Sequence, residues 1–459
     1  MKNDLGNERI EKLVFNIAIP SMIGQFVNVL YSIIDRIYIG HLASIGKLAL
    51  AGVGVCGPIV TMISAFASLV GVGGAPFCAI KMGEKDNASA KKIISNAFIL
   101  LIFFSFLVML ICFPLADKML LLFGASENTI EYASTYFRIY LIGTPFALLS
   151  IGMNNFISCQ GYSKLSMLSV LIGAITNIIL DPIFMFVFKM GIGGAALASI
   201  IGQFISCVFV LCILFSNKVE VSLSFSKVEP KICINILKIG MTQFLIIAFD
   251  NVMIIAMNYI LKKYGGSEYG DLLISVNTIL QSFMLIVTMP LSGISGGTQC
   301  ILSYNFGAYK MDRVEQAYKY ICKVCIGYCS IMFISIWLFG RSFILLFNND
   351  STVIEYCLKA LHLYTIFLIP LGLQYELVDG LTGLGQVKLS FPLSFFRKTV
   401  YFIALFTIPL KFEPIYAFLA ESVSDILGPL VSYYVVKRNF NHILEWRLWN
   451  RSENLEKKF

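Results

Sequence analysis

About twelve apolar runs follow one another along this chain, each roughly 20 residues or longer and separated by short polar breaks, which is the pattern of a polytopic membrane protein. They fall at 13–40, 49–72, 94–116, 132–156, 166–188, 193–216, 235–261, 273–300, 320–346, 356–382, 389–410 and 413–437. The residues are 58% hydrophobic and 14% charged, against about 25% charged in soluble domains. A water-soluble fold of this length has no means of hiding so much apolar surface.

Basic residues orient the spans. With the N-terminus inside, the inner segments hold about 23 Lys and Arg and the outer loops about 7, which places both termini in the cytoplasm of a multi-pass cell membrane protein. The net charge of +8 is therefore spread through loops and forms no nucleic-acid-like patch. The N-terminus carries no cleavable leader pattern. The 12 Cys lie mostly inside apolar runs, where a thiol acts as a small hydrophobe.

The chain also repeats. Gly161-Tyr-Ser-Lys-Leu-Ser166 returns as Gly385-Gln-Val-Lys-Leu-Ser390, a shift of about 224 residues. At that shift Gly83 falls on Gly307 and Asn155 on Asp379. The expected architecture is all-α, with twelve transmembrane helices in two six-helix lobes related by a parallel internal repeat around a central cavity. The N-terminal lobe is 1–216, a cytoplasmic linker 217–234, and the C-terminal lobe 235–459.

Polar residues inside the spans carry the functional reading, because an intramembrane acid is costly unless it faces protein or water. In the first run Asn28, Tyr31 and Asp35 lie three and four apart, on one helical face, and Pro20 is a point at which that helix can bend. The alternative is that Asp35 caps its helix or pairs with Arg36. In the fifth run Asn177 and Asp181 share a face and Pro182 follows; in the sixth, Ser199 and Gln203 share a face. Asp35, Asp181 and Ser199 all fall about 6–11 Å from the outer edge at 1.5 Å per residue. Two carboxylates with amide and hydroxyl oxygens suit a hard cation such as Na⁺, or a proton.

The second lobe holds Asp250, Glu376, Asp379, Glu421 and Asp425, with Arg397 and Lys398. Arg397 is expected to pair with Glu421 or Asp425. Asp250 has no basic neighbour in sequence and stands second among the functional acids. Other motifs dissolve on inspection. Gly52-Val-Gly-Val-Cys-Gly57 follows no strand and reads as helix packing rather than dinucleotide binding. Cys322-x-x-Cys325 with Cys329 has no His nearby, and His41, His362 and His442 are too scattered for a metal triad. No metal ligand set and no catalytic cluster emerges, so no enzyme is expected.

Tyr31-Ser-Ile-Ile-Asp35, Asn154-Asn-Phe-Ile-Ser-Cys-Gln-Gly161, and Asn177-Ile-Ile-Leu-Asp181-Pro182 with Gly193-Gly-Ala-Ala-Leu-Ala-Ser199 resemble the multidrug and toxic compound extrusion (MATE) family over nearly the whole chain. The resemblance implies an exporter of drugs in exchange for H⁺ or Na⁺. It implies that Tyr31, Asp35, Asn177, Asp181 and Ser199 form the cation site and that Pro20 is the bend of the first helix. It further implies that Asn28, Asn154 and Asn155 face the drug cavity and that Asp250 matches a second-lobe acid of some members. No cofactor is expected beyond the coupling ion. The partners are cationic amphiphilic drugs and the lipid bilayer, with no nucleic acid, and the chain is expected to act as a monomer. The 38 Phe, 21 Tyr and 17 Met suit an apolar, adaptable drug surface. The runner-up is a flippase of lipid-linked substrates, which needs a cationic groove; the spans offer only Arg36, Arg138, Lys359, Arg397 and Lys398.

Overall fold

The computed structural model describes residues 2–42, 46–266, 268–345 and 350–456. Its helices are α1 (Ile10–Gly40), α2 (Gly46–Gly83), α3 (Asn87–Leu122), α4 (Ile130–Ser158), α5 (Ser163–Pro182), α6 (Gly191–Phe215), α7 (Pro230–Gly265), α8 (Glu268–Gly307), α9 (Met311–Leu345), α10 (Ser351–Thr365), α11 (Leu368–Gly383), α12 (Val387–Thr407) and α13 (Leu419–Glu456). Among the described residues, 11 helices are long and apolar enough to cross a membrane, and α10 with α11, bent by 46° at their junction, make up to 12. The all-helical, twelve-span reading therefore holds, with one amendment. The run 356–382 is a broken span. Pro370 accounts for the break: its ring has no N–H to give and clashes with the carbonyl four residues back, at Ile366, where α10 ends.

Two compact units divide the chain. One comprises Met1–Leu5 and Ile19–Ile247; the other comprises Gly6–Ala18 and Ala248–Phe459. In the first, α2 packs on α3 and α4, α4 on α6, and α5 on α6. In the second, α9 packs on α8 and α11, and α13 on α11 and α12. The start of the chain joins the second unit because Lys310 Nζ donates to the Gly6 carbonyl at 2.7 Å and Arg313 Nη2 to the Glu8 carbonyl at 2.8 Å. Helix α1 passes from one unit to the other just before Pro20 without interruption.

The internal repeat is written in the backbone of each unit. Gly161 and Gly385 both take positive φ, +87° and +71°, in the turn after α4 and after α11. Only glycine reaches that region without a side-chain penalty. Lys85 and Tyr309, at the same shift, are both left-handed despite their side chains, at φ 61° and 58°. Each follows a helix closed by a matching bond: Asp86 N to Lys81 O, and Lys310 N to Asn305 O, both 2.9 Å.

The segment after α6 is ordered by alternation and by side-chain clasps. Val219, Val221 and Leu223 are buried, every second residue as in extended chain. Gln160 binds both backbone groups of Val221, accepting from its N at 2.8 Å and donating to its carbonyl at 3.1 Å.

Candidate cation site in the first unit

Helices α5 and α6 bring the polar residues of two spans together because glycine lets their backbones touch. A methyl group on Gly202 would lie 2.7 Å from the Gly173 carbonyl oxygen, and one on Gly173 would lie 3.2 Å from that of Gly202. One turn from this crossing, Asn177 Nδ2 donates to Asp181 Oδ1 and to Ser199 Oγ, each at 3.2 Å. A single amide thus ties the α5 carboxylate to the α6 hydroxyl. Helix α5 is not severed at Pro182. It widens into a π turn over Ile183–Val187, a rare turn that is frequent at functional sites.

The C-terminal half of α1 completes the group. Asp35 is 7% exposed and Asp181 is fully buried. Their charges interact with each other, and the Tyr31 hydroxyl lies within electrostatic reach of both. Arg36 acts on Asp35 only through its charge, and among the described residues no ion pair joins them. The cap-or-pair alternative for Asp35 thus finds no bond to rest on. Three buried acceptors here have no hydrogen-bond partner: Asp35 Oδ1, Asp181 Oδ2 and Asn177 Oδ1. Buried polar atoms are almost always satisfied, so these three free acceptors stand out, and oxygens of this kind can take a proton or a hard cation. Among the described residues no three His, Cys, Asp or Glu are grouped to hold a metal ion, so the amide and hydroxyl oxygens matter as much as the acids.

Two residues escaped the sequence reading. Tyr136 and Tyr140 on α4 stack at 6.4 Å, and both interact electrostatically with the Tyr31 group, Tyr136 with Asp35 as well. Gln203 Nε2 reaches the Tyr140 hydroxyl at 3.5 Å. Their four-residue spacing, the same as that of Tyr31 and Asp35, was a usable signal.

The expected drug-facing residues are dispersed. Asn28 lies half-buried on α1. Asn154 donates to the Ser166 carbonyl at 3.2 Å, and Asn155 to the Ile151 carbonyl of its own helix at 3.0 Å. In the second unit Arg397 Nη1 binds Glu421 at 3.0 Å and Asp425 at 2.6 Å, the pairing expected from sequence. Asp250 does have a basic partner, Lys398, hidden from the sequence reading by the distance between them along the chain.

The sequence profile of the MatE family matches residues 20–183 and 242–407. The chain is 26% identical over 437 residues to the multidrug export protein MepA of Staphylococcus haemolyticus, covering 94% of each. It is 24% identical to MepA of Staphylococcus aureus over 93% of this chain and 94% of that one. A solved outward-facing structure of a multidrug resistance MATE family transporter of the MOP superfamily superposes with a TM-score of 0.89 at 21% identity, over 96% of this chain and 98% of that chain. Arrived at from residues, fold and comparison alike, the chain belongs to the MatE family of multidrug and toxic compound extrusion transporters.

Proposed function

We propose that this protein is a secondary antiporter of the cell membrane that exports cationic amphiphilic drugs in exchange for H⁺ or Na⁺. The observation that carries the reading is the buried acceptor cluster of Asp35, Asp181 and Asn177, whose unsatisfied oxygens provide a place for a coupling cation. Tyr31 and Ser199 complete its shell. Cation loading neutralises the carboxylates, α1 bends at Pro20, and the drug is released outward. The curated relatives are multidrug export proteins, which supports the drug half of the exchange. Efflux of a fluorescent cation from vesicles holding the purified protein, under an imposed pH or Na⁺ gradient, tests it; no response to either gradient overturns it.

The flippase reading is disfavoured by the state of the span cations. Arg397, Lys398, Arg138 and Lys359 are each paired with a carboxylate, of Glu421 and Asp425, Asp250, Asp117 and Glu413 respectively. That leaves little positive charge for a pyrophosphate. The loop charges support cytoplasmic termini. Single cysteines at positions 164 and 388 should label from inside only, and at 126 and 190 from outside only.

A further inference from the structure

The second unit contains a charge pair with an unequal division of exposure. Lys398 lies at the middle of α12 and Asp250 at the middle of α7, the depth at which transporter substrates bind. The Lys398 ammonium is bonded to Asp250 Oδ1; its side chain is 6% exposed, whereas that of Asp250 is 49% exposed. A carboxylate open to that extent at mid-span faces water rather than lipid, because hydrocarbon contact is too costly for it. The neighbouring cation does not compete for Asp250 at close range: Arg397 is engaged by Glu421 and Asp425. A mid-membrane acid therefore presents one edge to water while a lysine from behind holds the other.

We propose that Lys398 is a tethered counter-cation of Asp250: it occupies the carboxylate when no substrate does, and a positively charged drug binds there by displacing its ammonium. This rests on the drug-export reading and deepens it by assigning the residue that sets charge selectivity. Competition for one carboxylate gives the site a threshold. A cationic drug gains its attraction to Asp250 only after offsetting the internal pair, whereas a neutral drug meets an already neutralised surface. The pair thus lets one site accept cationic and neutral drugs with comparable affinity, as promiscuous binding surfaces must. Lys suits the role better than Arg, since its flexible point charge leaves one geometry more easily than a planar fork does.

The test is binding of tetraphenylphosphonium, a permanent cation, and of neutral N-phenyl-1-naphthylamine to the purified full-length protein. Lys398→Gln should bind tetraphenylphosphonium about fivefold more tightly, the worth of one partly exposed charge pair, with naphthylamine binding unchanged. Adding Asp250→Asn should erase that gain, and Lys398→Arg should keep weak cation binding. An unchanged cation affinity in Lys398→Gln, or equal shifts for both probes, overturns the proposal. Should Lys398→Gln not fold, the exchanged pair Asp250→Lys with Lys398→Asp preserves the ion pair; it should lose cation binding and keep naphthylamine, and wild-type cation binding by it overturns the proposal. A wild type that binds neither probe defeats the export reading itself. A wild type that exports both, with no response to Lys398→Gln, defeats only the role of Lys398.

Discussion

Ser295 donates a 2.5 Å hydrogen bond to Asp379 Oδ2, and at the equivalent place in the other half Gly71 lies against Asn155. A methyl group on Gly71 would come within 2.6 Å of the Asn155 amide nitrogen. The repeat therefore conserves the contact while exchanging its chemistry: a glycine and an amide in one half, a hydroxyl and an acid in the other. Ser295→Ala removes the donor that holds Asp379 Oδ2. It should cost about 1–2 kcal/mol, in the range for a hydrogen bond to a charged group but lowered by what the membrane-inserted reference state recovers. Pairing it with Asp379→Asn should cost less than the two single changes added together. Thermal unfolding of the four proteins in detergent checks this; strict additivity would deny the coupling.

Asp86 gives a prediction in the loops. Its side chain caps α3 by accepting from Ser89 N at 3.0 Å, and hydrogen bonds from Ser89 hold its carboxyl below the usual carboxylate range. The folded value lies under the unfolded one, so the cap's contribution is complete above about pH 4 and fades as pH falls through the folded value. Asp86→Ala should lose about 1 kcal/mol at neutral pH. Against pH, the difference in melting temperature between the variant and the parent should shrink only under acid conditions.

Much of the architecture was legible because apolar length reports directly on the membrane. Asn177, Asp181 and Ser199 were legible too, since four-residue spacing fixes a helical face and equal depth permits a meeting. The Lys398–Asp250 pair was not: nothing in the neighbourhood of Asp250 announces a partner on α12. Nor was the left-handed backbone at Lys85 and Tyr309, where no glycine marks the turn. Pro370 was visible, but an apolar run continuing through it masked the break between α10 and α11. Local chemistry can be read from order along the chain, whereas a pairing between distant helices needs the packing.

The glycine crossing of α5 and α6 is open to a direct test. Gly202→Ala places a methyl group 2.7 Å from the Gly173 carbonyl oxygen, closer than real contacts allow, so the helices must part. The cost should be about 1–3 kcal/mol, as for overpacking in a core. Separation moves Ser199 away from Asn177, so apparent affinity for the coupling cation should fall alongside stability. Gly54, with nothing within 4 Å, is the control position; Gly54→Ala should change neither quantity by much. Cation affinity intact in a destabilised Gly202→Ala protein would show that the crossing does not position the site.

The acids on α1 and α5 carry the central prediction. Asp35→Asn and Asp181→Asn should each abolish gradient-driven export while the protein still inserts in the membrane. The reason is linkage: cation and drug exchange only if each binds one state of the transporter better than the other, and a ligand moves an equilibrium only through that difference. Shifting two states from 1:99 to 99:1 takes about 5.5 kcal/mol. A buried carboxylate that gains or loses its charge in a low-dielectric site can supply a term of that size. Asn resembles the neutral carboxyl, so under the proposed exchange it should hold its helix in the cation-loaded, drug-released state. Drug binding to the parent protein should therefore weaken as pH falls or Na⁺ rises, and this dependence should flatten in Asp35→Asn. The two substitutions together should be no worse than either alone, because Asp35 and Asp181 serve one cluster. Export by Asp35→Asn at the parent rate, with the same gradient dependence, would remove coupling from this cluster and direct attention to Asp250.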